Sequence, residues 1–238
     1  MTEDLRPSDP IEVPPPAEPS IIGVSARTAT VLLLFTLVFT ALMAATYFAT
    51  KPAIDQSARA EKMKLIGEVL PAASYDNDLL ADGVTLPAVS ELGLDDESTV
   101  YRARKNGQPV ALIVEAAAPD GYSGRIGMLL AVSPEGRLLA LRVTQHKETP
   151  GLGDYIDPKK DKNKAHPWVD QFNGRKLEEV GAGQWKVKKD GGVFDAHTGA
   201  TISARAVTNA SGRALAWANE NREKILQLPA GSRMEIKP

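Results

Sequence analysis

The chain has 238 residues, 43% of them hydrophobic, and a formal net charge of −2. It can therefore bury a core, and it lacks the basic tract that neutralises a nucleic-acid backbone. It contains no cysteine, which excludes disulfides, thiolate-held iron–sulfur clusters, zinc–thiolate sites and covalent c-type haem. The three histidines, His146, His166 and His197, lack the spacing of a metal motif, so redox chemistry here calls for an organic cofactor.

Residues 1–27 begin MTEDLRPSDPIEVPPPAEPS, acidic and proline-rich, and read as a disordered N-terminal tail. Residues 28–50, TATVLLLFTLVFTALMAATYFAT, carry no charge and lie between Arg27 and Lys51. About 20 apolar residues cross a bilayer core, threonine hydroxyls bond back to their own helix, and Tyr47 and Phe48 suit the interface. One transmembrane helix is predicted. The long acidic leader argues for a retained anchor over a cleaved signal peptide, whose leader is short and basic. Arg6 and Arg27 precede the span, whereas Lys51, Arg59, Lys62 and Lys64 follow it. Charge alone would place the C-terminal part in the cytoplasm, a bias that long domains override.

Residues 51–99 read as a linker and helical lead-in. Met63, Ile66 and Leu70 recur at helical spacing, and Pro71 ends the helix. From residue 100 the pattern becomes that of strands. TVYRA and PVALIVEA flank a turn containing Asn106-Gly107, and IGMLLAV and RLLALRV flank SPEG. Residues 100–145 thus predict four antiparallel strands. HKETPGLGD (146–154) follows as a tight turn, and DPKKDKNKAHPW as a solvated loop. A short helix is expected in WVDQFNGRKLEEV and a returning strand pair in QWKVKKDGGVFD. Ala206, Ala210, Ala214 and Trp217 then mark one face of a helix ending near Leu226. Residues 229–238 read as a loose C-terminal tail. The fold class is α+β: one N-terminal transmembrane helix, then a domain over 100–228 with an antiparallel sheet and packed helices.

The chemistry is carried by DAHTGATIS (195–203). Three hydroxyls, Thr198, Thr201 and Ser203, surround a Gly-Ala turn that runs into a helix. The unpaired N–H groups and positive end of that helix favour an anion, phosphate above all. Thr201 is best placed for a phosphoester, with Thr198 and Ser203 donating hydrogen bonds. The competing reading makes the hydroxyls ordinary N-caps on a membrane-anchored binding or scaffold module.

Three ordered stretches extend this. DAHTGATIS resembles the D-x-x-[S/T]-G-A-T-x-[S/T] signature of FMN-binding domains in which a flavin transferase links FMN through its phosphate to the last threonine. HKETPGLGD resembles their H-x-E-T-P-G-L-G loop, and GYSGRIGMLLAV (121–132) their G-Y-x-G-x-I strand. Two families share such a domain: the G subunit of the Rnf ion-translocating electron-transport complex, and the C subunit of the sodium-translocating NADH:quinone reductase. The lysine of HKETPGLGD and the short length favour the former. The resemblance implies covalent FMN on Thr201, a phosphate turn of Thr198, Gly199 and Ala200, and flavin contacts from Glu148, Thr149, Gly151 and Leu152. It also implies partner subunits of an Rnf complex, maturation by a flavin transferase, an inner-membrane location and a periplasmic FMN domain. That complex is expected to pass electrons between ferredoxin and NAD while moving ions. With no G-x-G-x-x-G between a strand and a helix, this chain is not expected to oxidise NADH alone. His146 and His197 are read as flanking residues and Trp168 as a core tryptophan.

Overall fold

The structure is a computed structural model and describes residues 21–235. The expected tail falls mostly on residues 1–20, outside the described residues. The chain divides into two compact units, Met1–Gln56 and Ser57–Pro238.

Helix α1 (Ile21–Val69) holds the whole apolar run. Its first part exposes Leu33, Phe35, Val38, Phe39 and Leu42, and Thr28, Thr30, Thr36, Thr46 and Thr50 each donate to the carbonyl four residues back. No hydroxyl among these five is left unpaired, which suits a helix in hydrocarbon. By length and composition the helix can cross a membrane. It starts before residue 28 and continues past 50, ending just before Pro71, as the Met63–Ile66–Leu70 spacing indicates.

The second unit is built on an antiparallel meander, β1 (Gly83–Leu86), β2 (Ser98–Lys105), β3 (Gln108–Gly121), β4 (Gly124–Val132) and β5 (Leu138–Gln145), in sheet order β1-β2-β3-β4-β5. Asn106 and Gly107 both take positive φ, 51° and 76°, the turn that Asn-Gly specifies between right-twisted strands. Alternation sorts side chains to two faces. Leu112, Val114 and Ala116 of β3 join Met128, Leu130 and Val132 of β4 on one face. Ala111 and Ile113 join Leu129 and Ala131 on the other, where Ile66, Val69 and Leu70 cover them. A short helix α2 (Leu177–Val180) precedes α3 (Thr201–Gln227), and α3 covers the first face. Its alanines at 204, 206, 210, 214 and 218 are buried in that core, and their small side chains let it lie close to the sheet.

Three expectations need correction. Residues 51–99 hold β1 and a buried set that includes Leu79, Leu86 and Leu92. A four-residue edge strand is too short a pattern to read. The strand pair expected in QWKVKKDGGVFD is instead two 3₁₀ turns, Ala182–Gln184 and Lys188–Asp190, with one bridge between Val187 and Phe194. Gly191 at φ 83° reverses the chain too soon for a ladder. The C-terminal tail is packed up to residue 235: Thr85 N donates to Ser232 O and Thr85 O accepts from Met234 N, each at 2.9 Å, and Met234 is 2% exposed. The free edge of β1 supplies the unpaired groups that draw it in.

The far end of α3 is held by β2. Arg102, 1% exposed, pairs with Asp82 and donates to the carbonyls of Ile225 (3.0 Å) and Leu228. Arg104 completes the group, reaching Asp82 at 2.8 Å and Leu226 O at 3.3 Å. Orphan carbonyls at the negative end of the helix are thus met by cations. Replacing Arg102 by Met leaves them and part of Asp82 unpaired. We predict a loss of about 3 kcal/mol, read as a fall of roughly 10 °C in thermal unfolding of the detergent-solubilised chain.

Candidate functional site

The turn before α3 is closed by Ala200 N donating to His197 O at 3.1 Å, with Gly199 at φ 87°. An added Cβ at Gly199 would meet nothing within 4 Å, so backbone conformation, not space, calls for glycine there. Ala200 is the N-cap and Thr201 the first helical residue, and no side chain caps the helix. The plain-cap reading of the hydroxyls is therefore not met. Amides of the first turn are left for an external acceptor.

The three hydroxyls differ in environment. Ser203 is 1% exposed and donates to the Glu148 carboxylate. It is committed within the protein, contrary to the expectation that it serves a phosphate. Thr198 is exposed on the turn, and Thr201 is half-buried.

Glu148 is the centre of the site. It is 4% exposed, and its carboxylate also accepts from Ser123 N at 3.0 Å, while its own N–H donates to His146 Nδ1 at 3.2 Å. The Gly121–Gly124 end of the β3–β4 hairpin is thereby tied to the 146–153 loop and to α3. Space is tight: a Cβ on Gly153 would stand 2.5 Å from Ser203 Oγ and 2.9 Å from Glu148 Oε2. The loop closes on itself through Leu152 N and Gly153 N, each donating to Thr149 O at 3.1 Å, and through Gly151 N donating to Asp154 Oδ1 at 2.8 Å.

These elements enclose a cleft of about 250 Å³. Of the residues expected at the site, Glu148, Thr149, Leu152, Gly199, Ala200 and Ser203 line it; Thr201 adjoins it, and Thr198 and Gly151 lie outside its walls. Tyr122, Gly153 and Ile202 also line it, and the sequence alone does not single them out. Tyr122 is 67% exposed, with Leu152 and Ile202 also exposed. An apolar rim around a few convergent polar groups is the usual make-up of a ring-binding cleft. The signal for Tyr122 lies in GYSG, where a large aromatic follows a glycine at a tight turn. Trp168 is in the core, its indole N–H donating to Asp195 O at 2.6 Å, and His197 stacks on Tyr155 with centroids 3.8 Å apart.

Volume alone does not single out this cleft. Another of about 250 Å³ lies beside Lys62, Glu115 and Arg125, and a wider one of about 460 Å³ beside His166 and Asp161. The first has its polar wall neutralised by the Lys62–Glu115 pair at 3.1 Å. In the second, the buried Asp161 is spent on Asn163 N and Trp168 N. Of these three, the cleft at α3 alone combines an uncapped helix start, a hydroxyl at the first position, an apolar rim and a buried acceptor. These residues fit a flavin mononucleotide: amides for the phosphate, apolar side chains for the ring, a carboxylate for ribityl or ring donors.

Comparison with known proteins agrees in both parts of the chain. Residues 121–216 match the FMN-binding domain, and residues 24–69 match the RnfG N-terminal region. The chain is 44% identical over 200 residues to the G subunit of the ion-translocating oxidoreductase complex of Pseudomonas aeruginosa (strain UCBPP-PA14), covering 84% of this chain and 91% of that one. It is 44% identical over 199 residues to the corresponding protein of Escherichia coli O157:H7, covering 84% and 93%. Identity to that of Vibrio atlanticus (strain LGP32) is 37% over 209 residues, covering 88% and 97%. The N-terminal match selects between the two families that share the flavin domain. Matched along most of its length by these relatives, and over residues 24–69 by the RnfG N-terminal region, the chain belongs to the RnfG family, the G subunits of ion-translocating oxidoreductase complexes.

Proposed function

We propose that this protein is a single-pass, membrane-anchored electron carrier holding FMN covalently through a phosphoester at Thr201. Its partners are the other subunits of an Rnf-type complex, which passes electrons between ferredoxin and NAD and couples this to movement of sodium ions or protons. The observation that supports the reading best is the uncapped start of α3, with Thr201 as its first residue beside an apolar-rimmed cleft.

Each residue has a distinct task. Thr201 provides the ester oxygen. Thr198, Gly199 and Ala200 form the turn, and first-turn amides of α3 stabilise the phosphate charge. Glu148 accepts from a ribityl O–H or the ring N–H, Thr149 bonds the ring edge, and Leu152, Tyr122 and Ile202 supply apolar contact. Gly151 sets the bend of the loop. When bound, FMN supplies one- or two-electron transfer, and the protein supplies orientation and electrostatics. A tether suits a relay because the carrier cannot diffuse away. Maturation requires a flavin transferase, and the FMN domain lies on the periplasmic side of the inner membrane.

The direct test is fluorescence of the denatured polypeptide after co-expression with a flavin transferase, with mass analysis of the peptide holding Thr201. Wild type retains flavin fluorescence and the added mass. Thr201→Ala is dark, with stability changed by no more than about 1 kcal/mol. A fluorescent Thr201→Ala protein overturns the attachment site. Gly153→Ala forces Ser203 and Glu148 apart; the expected result is a loss of roughly 2 kcal/mol together with a reduced flavin-loaded fraction. For topology, protease added to intact spheroplasts should degrade the C-terminal domain, and its full protection would reverse the orientation.

A further inference from the structure

The Tyr155 side chain is not accounted for by the cleft. It comes from the same loop as Glu148, from the 3₁₀ turn Gly153–Ile156, and is 4% exposed. Its hydroxyl accepts from His197 N at 3.1 Å and donates to Ala200 O at 3.2 Å. These are the first and last residues of the turn that precedes Thr201. One phenol oxygen therefore bridges both ends of that turn, while Ala200 N closes it onto His197 O at 3.1 Å. The ring is held in turn, stacked on His197 at 3.8 Å and met edge-on by Trp168 at 5.5 Å.

Thr201 lies between two clamps from one loop: Tyr155 on Ala200, and Glu148 on Ser203. Neither engages its hydroxyl. We propose that Tyr155 is a positioning residue for flavin attachment, holding the His197–Ala200 turn so that Thr201 Oγ1 is presented for phosphoryl transfer. This rests on attachment at Thr201. In that step Thr201 Oγ1 attacks the flavin-side phosphorus of a flavin nucleotide phosphoanhydride. The new P–O bond forms as the bridging P–O bond breaks, its electron pair leaves on the nucleoside monophosphate, and the hydroxyl proton passes to solvent. No atom changes oxidation state.

Two features of the site fit this role. Burial pushes the Tyr155 phenol above its usual pKa, so the proton donated to Ala200 O is retained across the physiological range. Gly199, at φ 87°, gives the turn a shape that other residues adopt only with strain, and a second element holding that shape reduces the conformations Thr201 samples. Placement of the attacking atom is worth large factors in rate when displacement must be in line.

The test is steady-state flavin transfer by a purified flavin transferase to the detergent-solubilised full chain, with acceptor concentration varied and covalent flavin read by in-gel fluorescence. Tyr155→Phe keeps the ring and removes both hydrogen bonds. Its kcat should fall roughly 10- to 100-fold with KM within about twofold. Gly199→Ala disturbs the same turn from the backbone and should lower kcat in the same way. Val169→Ala, a buried change one residue from Trp168, serves as the stability control: its melting temperature falls while kcat stays at the wild-type value. Wild-type kcat in Tyr155→Phe overturns the role, as does an equal loss of kcat in Val169→Ala. A wild-type chain that accepts no flavin overturns attachment itself, and the proposal with it. If Tyr155→Phe does not fold, Gly199→Ala decides: an unchanged kcat there overturns the proposal.

Discussion

The site depends on one buried hydrogen bond, from the Ser203 hydroxyl to the Glu148 carboxylate. A carboxylate that is 4% exposed is costly to bury unless its lone pairs are met. Here Ser203 and Ser123 N meet them, and the positive end of α3 lies close by. One donor comes from a helix, the other from a hairpin, and the carboxylate from the loop after β5. Satisfying it therefore fixes the mutual positions of all three. Gly121 and Gly153 follow from it, since a Cβ on either would crowd Glu148. The cleft is the space left beside this bond.

The same helix is held at its other end by a different chemistry. Arg102 and Arg104 place guanidinium groups on the terminal carbonyls of α3, with Asp82 balancing them. A carboxylate at the positive end and cations at the negative end follow the helix dipole. Between them the alanine face lies close on the sheet, with Val207, Leu215, Trp217 and Ile225 of the same helix buried in the core. The two polar ends add to the packing that fixes the helix along its axis. An axial shift of one residue, about 1.5 Å, would break the Glu148–Ser203 bond and carry Thr201 away from the loop.

How much of this is legible in the sequence depends on the range of the interactions. The meander from residue 100 to 145 is readable because its signals are local: alternation along the strands, and Asn106-Gly107 at a turn. The long helices are readable for the same reason. The segment leading into α3 is readable only as a motif. Nothing in DAHTGATIS tells that Ser203 is engaged and Thr201 is not, because what distinguishes them is Glu148, 55 residues away in sequence. Tyr155 is invisible for a similar reason, its two bonds running to residues 42 and 45 positions on. β1 and the segment around Met234 escape notice because each is short and gains its place partly from the other.

The proposed tether also has an electrostatic consequence for the mouth of α3. Glu148 already occupies part of the positive field there, and a free phosphate monoester would bring roughly 1.5 to 2 further negative charges into the same space. Esterification to Thr201 converts the monoester into a diester, which carries only a single charge and cannot take up the second. Repulsion with Glu148 falls accordingly, while the first-turn amides still find an anion to bond. The covalent bond thus does more than prevent escape: it lowers the charge of the group that must share a helix end with a buried carboxylate.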